Sequence, residues 1–112
     1  MKKLLFLILI FCACEKPPDL TGEWKGTANE VDCELSLTQE HNRITGDFFF
    51  AGYDTIGIFG YVRGECVTMK VNYEYLTLLF TGKTDFHRMY GKTEWICNDT
   101  VRSSGEFIFF KQ

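Results

Sequence analysis

The sequence predicts an all-β protein: a single eight-stranded antiparallel up-and-down barrel that follows an N-terminal signal helix. Three observations predict this fold. From Thr21 onward, the 112-residue chain shows no helical period. Stretches of roughly seven to ten residues instead alternate apolar with polar side chains, which is typical of half-buried strands. Short turns join these stretches, and the ten glycines of the chain permit the tight coiling of a small closed sheet.

The first 13 residues form a predicted signal peptide. Lys2 and Lys3 precede an apolar run over residues 4–11, and a short basic start followed by such a run is the pattern of a secretory signal. About eight apolar residues are too few to span a bilayer as a helix. We therefore expect residues 1–13 to be removed on export.

The end of this segment, Phe11-Cys12-Ala13-Cys14, resembles a bacterial lipobox. The resemblance implies that Cys14 carries palmitate-type acyl chains and becomes the N-terminus, which anchors the protein to a membrane of the cell envelope. Residues 14–20 would then form the lipidated cysteine and an extended tether. Glu15, rather than Asp, follows the cysteine and favours the outer membrane, on its periplasmic or surface face. The alternative is an ordinary cleaved signal with an incidental cysteine.

Residues 21–112 form the predicted barrel domain. Its eight strands are predicted over residues 22–28, 33–40, 43–51, 55–63, 66–73, 75–82, 88–96 and 105–111. Short links place each strand beside the preceding one. Closure of the sheet then removes the two bare edges that a flat meander would expose.

The alternation divides the strands into an inward and an outward face. The inward set is Trp24, Gly26, Leu35, Leu37, Ile44, Gly46, Phe48, Phe50, Ile56, Ile58, Gly60, Val62, Val67, Met69, Val71, Tyr73, Leu76, Leu78, Phe80, Met89, Gly91, Trp95, Phe107 and Phe109. Five large apolar residues fall on the outward face: Phe49, Phe59, Tyr61, Ile108 and Phe110. They are either cross-strand pairs on the barrel wall or a surface that contacts a partner.

Charge and chemistry argue against two classes of function. The chain has 12 basic and 15 acidic side chains, a net charge of −3, and the basic residues are scattered, so we expect no nucleic-acid partner. The two histidines, His41 and His87, fall in turns, and no serine has a histidine within reach of the predicted topology. We therefore expect no enzymatic activity, no metal site and no cofactor.

The first strand carries a family resemblance. Thr21-Gly22-Glu23-Trp24 resembles the Gly-x-Trp signature of calycins, which include lipocalins and avidins. Three longer segments are similar to avidin strands and to small lipocalin-like lipoproteins of Bacteroidetes: residues 20–24, 44–48 and 90–95. The resemblance implies that Trp24 plugs the closed end of the barrel and that Lys111, at the end of the last strand, covers it. The inward positions lack the polar set that avidins use on biotin.

The meander also orders the cysteines. Cys33 opens the second strand and Cys97 closes the seventh, both at the end of the barrel away from Trp24, whereas Cys66 lies at the Trp24 end. We expect a Cys33–Cys97 disulfide and a free Cys66.

Two functions follow from this architecture. In the first, an envelope-anchored lipocalin-like lipoprotein binds a small apolar or aromatic ligand at its outward mouth, lined by Phe50, Tyr73, Leu76 and Trp95. In the second, the barrel is filled and the outward aromatic residues bind a protein partner, as lipoprotein inhibitors and immunity proteins do. Eight-stranded barrels are just wide enough for side chains to fill, so the sequence leaves both open.

Overall fold

A computed structural model of the chain describes residues 18–50, 55–85 and 87–112. The predicted signal peptide, residues 1–13, and the predicted lipidation residue Cys14 lie outside the described residues. The eight strands are β1 (Gly22–Ala28), β2 (Val31–Glu40), β3 (Arg43–Phe50), β4 (Ile56–Arg63), β5 (Cys66–Tyr73), β6 (Leu76–Thr84), β7 (Arg88–Cys97) and β8 (Thr100–Lys111). Within these ranges no helix is long and apolar enough to cross a membrane.

The strands form one closed antiparallel barrel in chain order. Each strand pairs with the next one, and β1 closes the circle with β8, where Trp24 lies opposite Lys111 and Ala28 opposite Phe107. The predicted fold, an all-β eight-stranded antiparallel barrel, is confirmed.

Two-residue turns set the register of the hairpins. Asn29-Glu30 joins β1 to β2 and Asn98-Asp99 joins β7 to β8, and all four residues have positive φ angles between 51° and 67°. Two such residues in succession form a type I′ turn, whose twist matches that of the strands it connects. The link from β7 to β8 is therefore much shorter than predicted.

As a consequence, β8 begins five positions before the predicted start at residue 105. Its first residues, Thr-Val-Arg-Ser-Ser, are exposed and polar enough to resemble a loop. Their backbone nevertheless pairs with the end of β7, where Cys97 lies opposite Thr100 and Trp95 opposite Ser103, with a bulge between. Backbone pairing, and not side-chain burial, keeps this segment in the sheet.

The inward and outward faces follow the predicted alternation. The buried apolar residues of the strands are Trp24, Ala28, Cys33, Leu35, Leu37, Ile44, Phe48, Ile58, Val62, Val67, Met69, Val71, Leu78, Phe80, Met89, Phe107 and Phe109. The outward aromatic residues Phe49, Phe59, Tyr61 and Phe110 are between 39% and 48% exposed. The register is specified because a slip by one residue would exchange the two sets.

Trp24 closes the end of the barrel where the chain enters. Its side chain is fully buried, and its indole Nε1–H donates a hydrogen bond to the carbonyl oxygen of Leu20 at 2.9 Å. The Lys111 ammonium lies 5.8 Å from the centre of the Trp24 ring and donates to the carbonyl oxygen of Asp19 at 3.1 Å. This arrangement satisfies the polar atom of a large buried ring and adds a cation–π contact.

Five glycines allow neighbouring strands to approach more closely than a side chain would permit. A Cβ atom added at Gly26 would overlap the Ile108 carbonyl oxygen. Gly46, Gly60, Gly82 and Gly91 face the backbone of an adjacent strand in the same way. Gly57 also lies inside a strand, but it has no atom within 4 Å of such a Cβ. The difference arises because Gly57 lies on the outward face, between Ile56 and Ile58.

We predict that Gly26→Ala destabilises the barrel by about 1–3 kcal/mol or more, because the new methyl group forces two strands apart. The matched change Gly57→Ala should leave the free energy of unfolding unchanged or raise it by about 0.5–1 kcal/mol. Urea unfolding of both variants measures the difference. Equal stability of the two variants would contradict the close approach at Gly26.

Candidate functional site

An apolar cavity of about 170 Å³ lies inside the end of the barrel opposite Trp24. Eight side chains line it: Phe48, Phe50, Ile56, Val71, Tyr73, Leu76, Leu78 and Trp95. We call it the distal cavity. All four residues predicted to bind a ligand, Phe50, Tyr73, Leu76 and Trp95, are among its lining residues.

Five consecutive strands, β3 to β7, supply the lining. Strand pairing places the residues side by side at one level of the barrel: Phe48 opposite Ile56, Tyr73 opposite Leu76, and Leu78 opposite Trp95. Each is an inward position at the distal end of its strand, so the alternation that builds the core also builds the cavity. Sequence reasoning placed the other four lining residues inside the barrel but did not assign them to the site, because strand-to-strand register was needed to find their common level.

A cluster of aromatic rings forms the floor of the distal cavity. The centre of the Phe80 ring lies 5.2 Å from that of Phe107, 5.9 Å from that of Phe109 and 5.9 Å from that of Phe48. These rings fill the middle of the barrel with tilted and edge-to-face contacts. The sequence left a filled and a hollow interior open; the structure has a filled middle below a cavity confined to the distal end.

Aromatic rings also form one wall of the cavity. Phe48 and Phe50 stack with ring centres 5.8 Å apart, and Phe50 lies 6.0 Å from Trp95 at an interplanar angle of 59°. Tyr73 is 41% exposed, so its ring lines the rim of the mouth and not the interior of the barrel. The cavity therefore presents flat apolar faces to anything that enters.

The indole nitrogen of Trp95, whose ring lines the cavity, differs in its hydrogen bonding from the other buried polar side-chain atoms of the described residues. It is the one buried side-chain nitrogen or oxygen, among the residues that the structure describes, without a hydrogen-bond partner. Trp24 has the same donor, which is satisfied by Leu20. A buried donor without a partner costs about 1–3 kcal/mol, so Trp95 carries, beside the distal cavity, a polar group that the described part of the chain does not satisfy.

The described lining of the distal cavity is mostly hydrocarbon and aromatic, with the Tyr73 hydroxyl at its rim. Its eight lining residues include no carboxylate, histidine, cysteine, serine or lysine. Nor do the described residues bring three or more His, Cys, Asp or Glu side chains together in a group that could hold a metal ion. Such a lining can bind and orient an apolar ring.

A wider groove of about 1020 Å³ lies against the outer wall, between Tyr90, Lys92, Ser104 and the Asn29-Glu30 turn. It is open to solvent and its lining mixes charged, polar and apolar groups. Ligand sites are typically concave and mostly apolar, with a few placed polar groups. By that criterion the distal cavity is the better candidate, although it is smaller.

The predicted Cys33–Cys97 disulfide is wrong, because the structure holds both residues as free thiols. Across β1, Cys33 is level with Phe109 of β8, whereas Cys97 lies opposite Thr100 of the same strand. These positions on β8 are separated by roughly 30 Å at ~3.3 Å per residue. A disulfide requires Cα atoms within about 7 Å. Both cysteines lie toward the distal end, but the stagger of the strands separates them.

Burial controls the chemistry of Cys33. The side chain is 3% exposed and its thiol donates to the Val31 carbonyl oxygen at 3.3 Å. Desolvation raises the pKa of this thiol from 9.0 to about 11, because burial disfavours the charged thiolate. Cys33 is therefore a protonated core residue at neutral pH.

Comparison with known proteins identifies the fold. No family model matches the chain, and no curated protein matches it. Among solved structures, a bradavidin2–biotin complex matches with a TM-score of 0.66 and 16% identity, covering 88% of this chain and 99% of that one. A variant of shwanavidin in complex with biotin matches with a TM-score of 0.64 and 13% identity over 84% of this chain and 98% of that one. Apo shwanavidin matches with a TM-score of 0.62 and 13% identity, covering 88% of this chain and 100% of that one. These likenesses show an avidin-like barrel.

We predict that the three cysteines of the barrel react with iodoacetamide in the order Cys66, Cys97, Cys33, because they are exposed, half-buried and buried, respectively. Peptide mapping by mass spectrometry at pH 8 measures the order. A linked Cys33–Cys97 peptide under non-reducing conditions would contradict the structure.

Burial of Cys33 also predicts a pH dependence of the stability. Because the folded pKa of Cys33 lies above its ordinary value, the stability linked to this thiol is present below about pH 9 and is lost as the pH rises through about 11.

Proposed function

We propose that this protein is a non-enzymatic binding lipoprotein of the bacterial cell envelope, whose distal cavity takes a small apolar or aromatic ligand. The observation that carries the proposal is the cavity itself: about 170 Å³ of space inside a barrel whose middle is filled, lined by eight apolar and aromatic side chains. A lining of this kind favours an apolar occupant.

The volume sets the size of the ligand. An engineered apolar cavity of about 150 Å³ stays dry and binds benzene, whereas pockets for drug-sized ligands occupy roughly 300–1,000 Å³. The distal cavity therefore suits a compound with a single ring and a short substituent.

The structural likeness to biotin complexes does not make biotin the favoured ligand here. A ureido group and a carboxylate need several hydrogen-bond partners, and leaving such groups unpaired in an apolar site is costly. The described lining residues carry two polar side-chain groups, the Tyr73 hydroxyl and the Trp95 indole N–H, of which the indole nitrogen is covered. We propose a less polar ligand on this ground.

The anchor proposal gives the barrel an orientation. The described chain enters at Leu20, which is buried at the Trp24 end, and the distal cavity opens at the other end. If Cys14 carries the lipid, only a few residues separate the membrane from the plugged end. The mouth of the cavity then faces away from the lipid, where dissolved ligands can reach it.

We predict that ethylbenzene, at a concentration of about 100 times its Kd, stabilises the protein by about 2.7 kcal/mol and changes its tryptophan fluorescence. Val71→Phe should abolish this response, because the added ring occupies the cavity while the buried position stays apolar. Thermal unfolding and fluorescence titration measure both effects.

Val101→Phe is the matched control. Val101 is 50% exposed and does not line the distal cavity, so this variant should bind the probe as the wild type does. If no apolar or aromatic one-ring probe stabilises the wild-type protein, the ligand-binding proposal is wrong.

We predict that Cys14→Ala moves the protein from the membrane fraction to the soluble fraction or leaves it with an unprocessed signal, because the acylated side chain is lost. Cys12→Ala is the control and should keep both membrane association and palmitate labelling. Fractionation of the bacterial cell with metabolic palmitate labelling measures the outcome. Unchanged labelling of the Cys14→Ala variant would exclude this residue as the anchor.

A second candidate function, protein binding through the barrel wall, is favoured by the exposed aromatic residues. Phe59 is 47% and Tyr61 48% exposed, and both are outward neighbours on β4 beside Arg43 and Thr45 of β3. Adjacent exposed rings of this kind are enriched at protein interfaces. Loss of partner capture in a Phe59→Ser, Tyr61→Ser variant that still binds ethylbenzene would assign protein binding to the wall.

A further inference from the structure

The distal cavity combines an almost entirely apolar lining with one unsatisfied donor. The ring of Trp95 lines the cavity, and its Nε1–H has no partner among the described residues. The other buried tryptophan, Trp24, uses the same atom in a 2.9 Å hydrogen bond. Folding thus satisfies the indole at the plugged end and leaves the indole at the cavity unsatisfied.

The contacts of Trp95 with the described residues provide no acceptor for its indole N–H. The centre of the Phe50 ring lies 6.0 Å from that of Trp95, and the neighbour of Trp95 across the β6–β7 pairing is Leu78. Neither side chain carries a hydrogen-bond acceptor of ordinary strength. On the other side, the pairing of β7 with β8 is interrupted by a β-bulge directly after Trp95. Bulges of this kind change the direction of nearby side chains and are common beside functional sites.

We infer that the ligand of the distal cavity is a one-ring compound that carries a hydrogen-bond acceptor, such as a carbonyl oxygen or a ring nitrogen, and that Trp95 donates to it. This inference rests on the proposed function and narrows it from apolar ligands in general to acceptor-bearing ones. The donor nitrogen is covered in the ligand-free barrel. We infer, as part of this binding mode, that the half-buried indole turns toward the space that its ring already borders when the acceptor binds.

The hydrogen bond would provide specificity more than affinity. An apolar cavity alone discriminates poorly between rings of equal size, whereas a donor that is already unpaired in the empty barrel favours the occupant that pairs it. A ligand that carries the acceptor regains the hydrogen bond that the empty barrel lacks. The expected preference for the acceptor-bearing member of a matched pair is about tenfold, after correction for the different hydration of the two compounds.

A matched pair of probes tests the inference: acetophenone, which has a carbonyl acceptor, and ethylbenzene, which has nearly the same shape and none. The ratio of their Kd values is measured for the purified wild-type protein and for Trp95→Phe, which keeps an aromatic ring but removes the donor. Comparing the ratios between proteins cancels the hydration of the probes. We expect the preference for acetophenone to fall about tenfold in Trp95→Phe.

Ile56→Val is the control for a change in cavity size. It removes one methylene from the lining and keeps the indole, so the ratio should remain that of the wild type. An equal fall of the ratio in Ile56→Val and Trp95→Phe would overturn the inference, because cavity size and not the donor would then set the preference.

The indole resonances provide a readout that does not depend on a variant. The chain has two tryptophans, so a ¹⁵N-labelled sample shows two indole N–H signals. Acetophenone should move the Trp95 signal downfield and leave that of Trp24 in place, whereas ethylbenzene should not produce the downfield shift. A Trp95 signal that responds equally to both probes would overturn the inference while the cavity proposal stands.

Failure of both probes to bind the wild type would overturn the proposed function itself, and the inference with it.

Discussion

Closure of the sheet on itself is the constraint on which the rest of this structure depends. The circle closes through five residue pairs between β1 and β8, from Trp24–Lys111 to Ala28–Phe107. So narrow a barrel requires strands to coil sharply, and at Gly26 the chain achieves this by bringing one backbone directly against another. Without that approach the β1–β8 seam would open, and the plugged end, where Trp24 lies opposite Lys111, would lose its wall.

The two ends of the barrel use the same residue type for different purposes. At one end Trp24 is fully buried, hydrogen-bonded and covered by Lys111, so that end of the barrel is closed and its indole N–H has a hydrogen-bond partner. At the other end Trp95 is half-buried beside space, with its N–H unpaired. Natural sequences depart from complete polar satisfaction mainly at functional sites. The asymmetry between the two indoles, more than the cavity volume alone, directs attention to the distal end.

The errors of sequence reasoning have a common origin in strand stagger. The alternation of residues within each strand predicted the inward set, including Phe50, Tyr73, Leu76 and Trp95, because alternation is a property of one strand. The Cys33–Cys97 disulfide required the relative height of β2 and β7, which no single strand contains. The early start of β8 was missed for a related reason: Thr100 and its neighbours are held by pairing with β7, and their own polar side chains give no sign of it.

The sequence by itself determined the class of fold, the strand order and the identity of the core, because period-two alternation and short links leave few ways to bury the apolar face. It also contained the two tryptophans that mark the ends. Only the tertiary structure decided that aromatic rings fill the middle, that space remains beside Trp95 and that the cysteines stay apart. These outcomes depend on how side chains from five or more strands meet at one level of the barrel, and that level is set by register and shear, which are properties of the closed sheet as a whole.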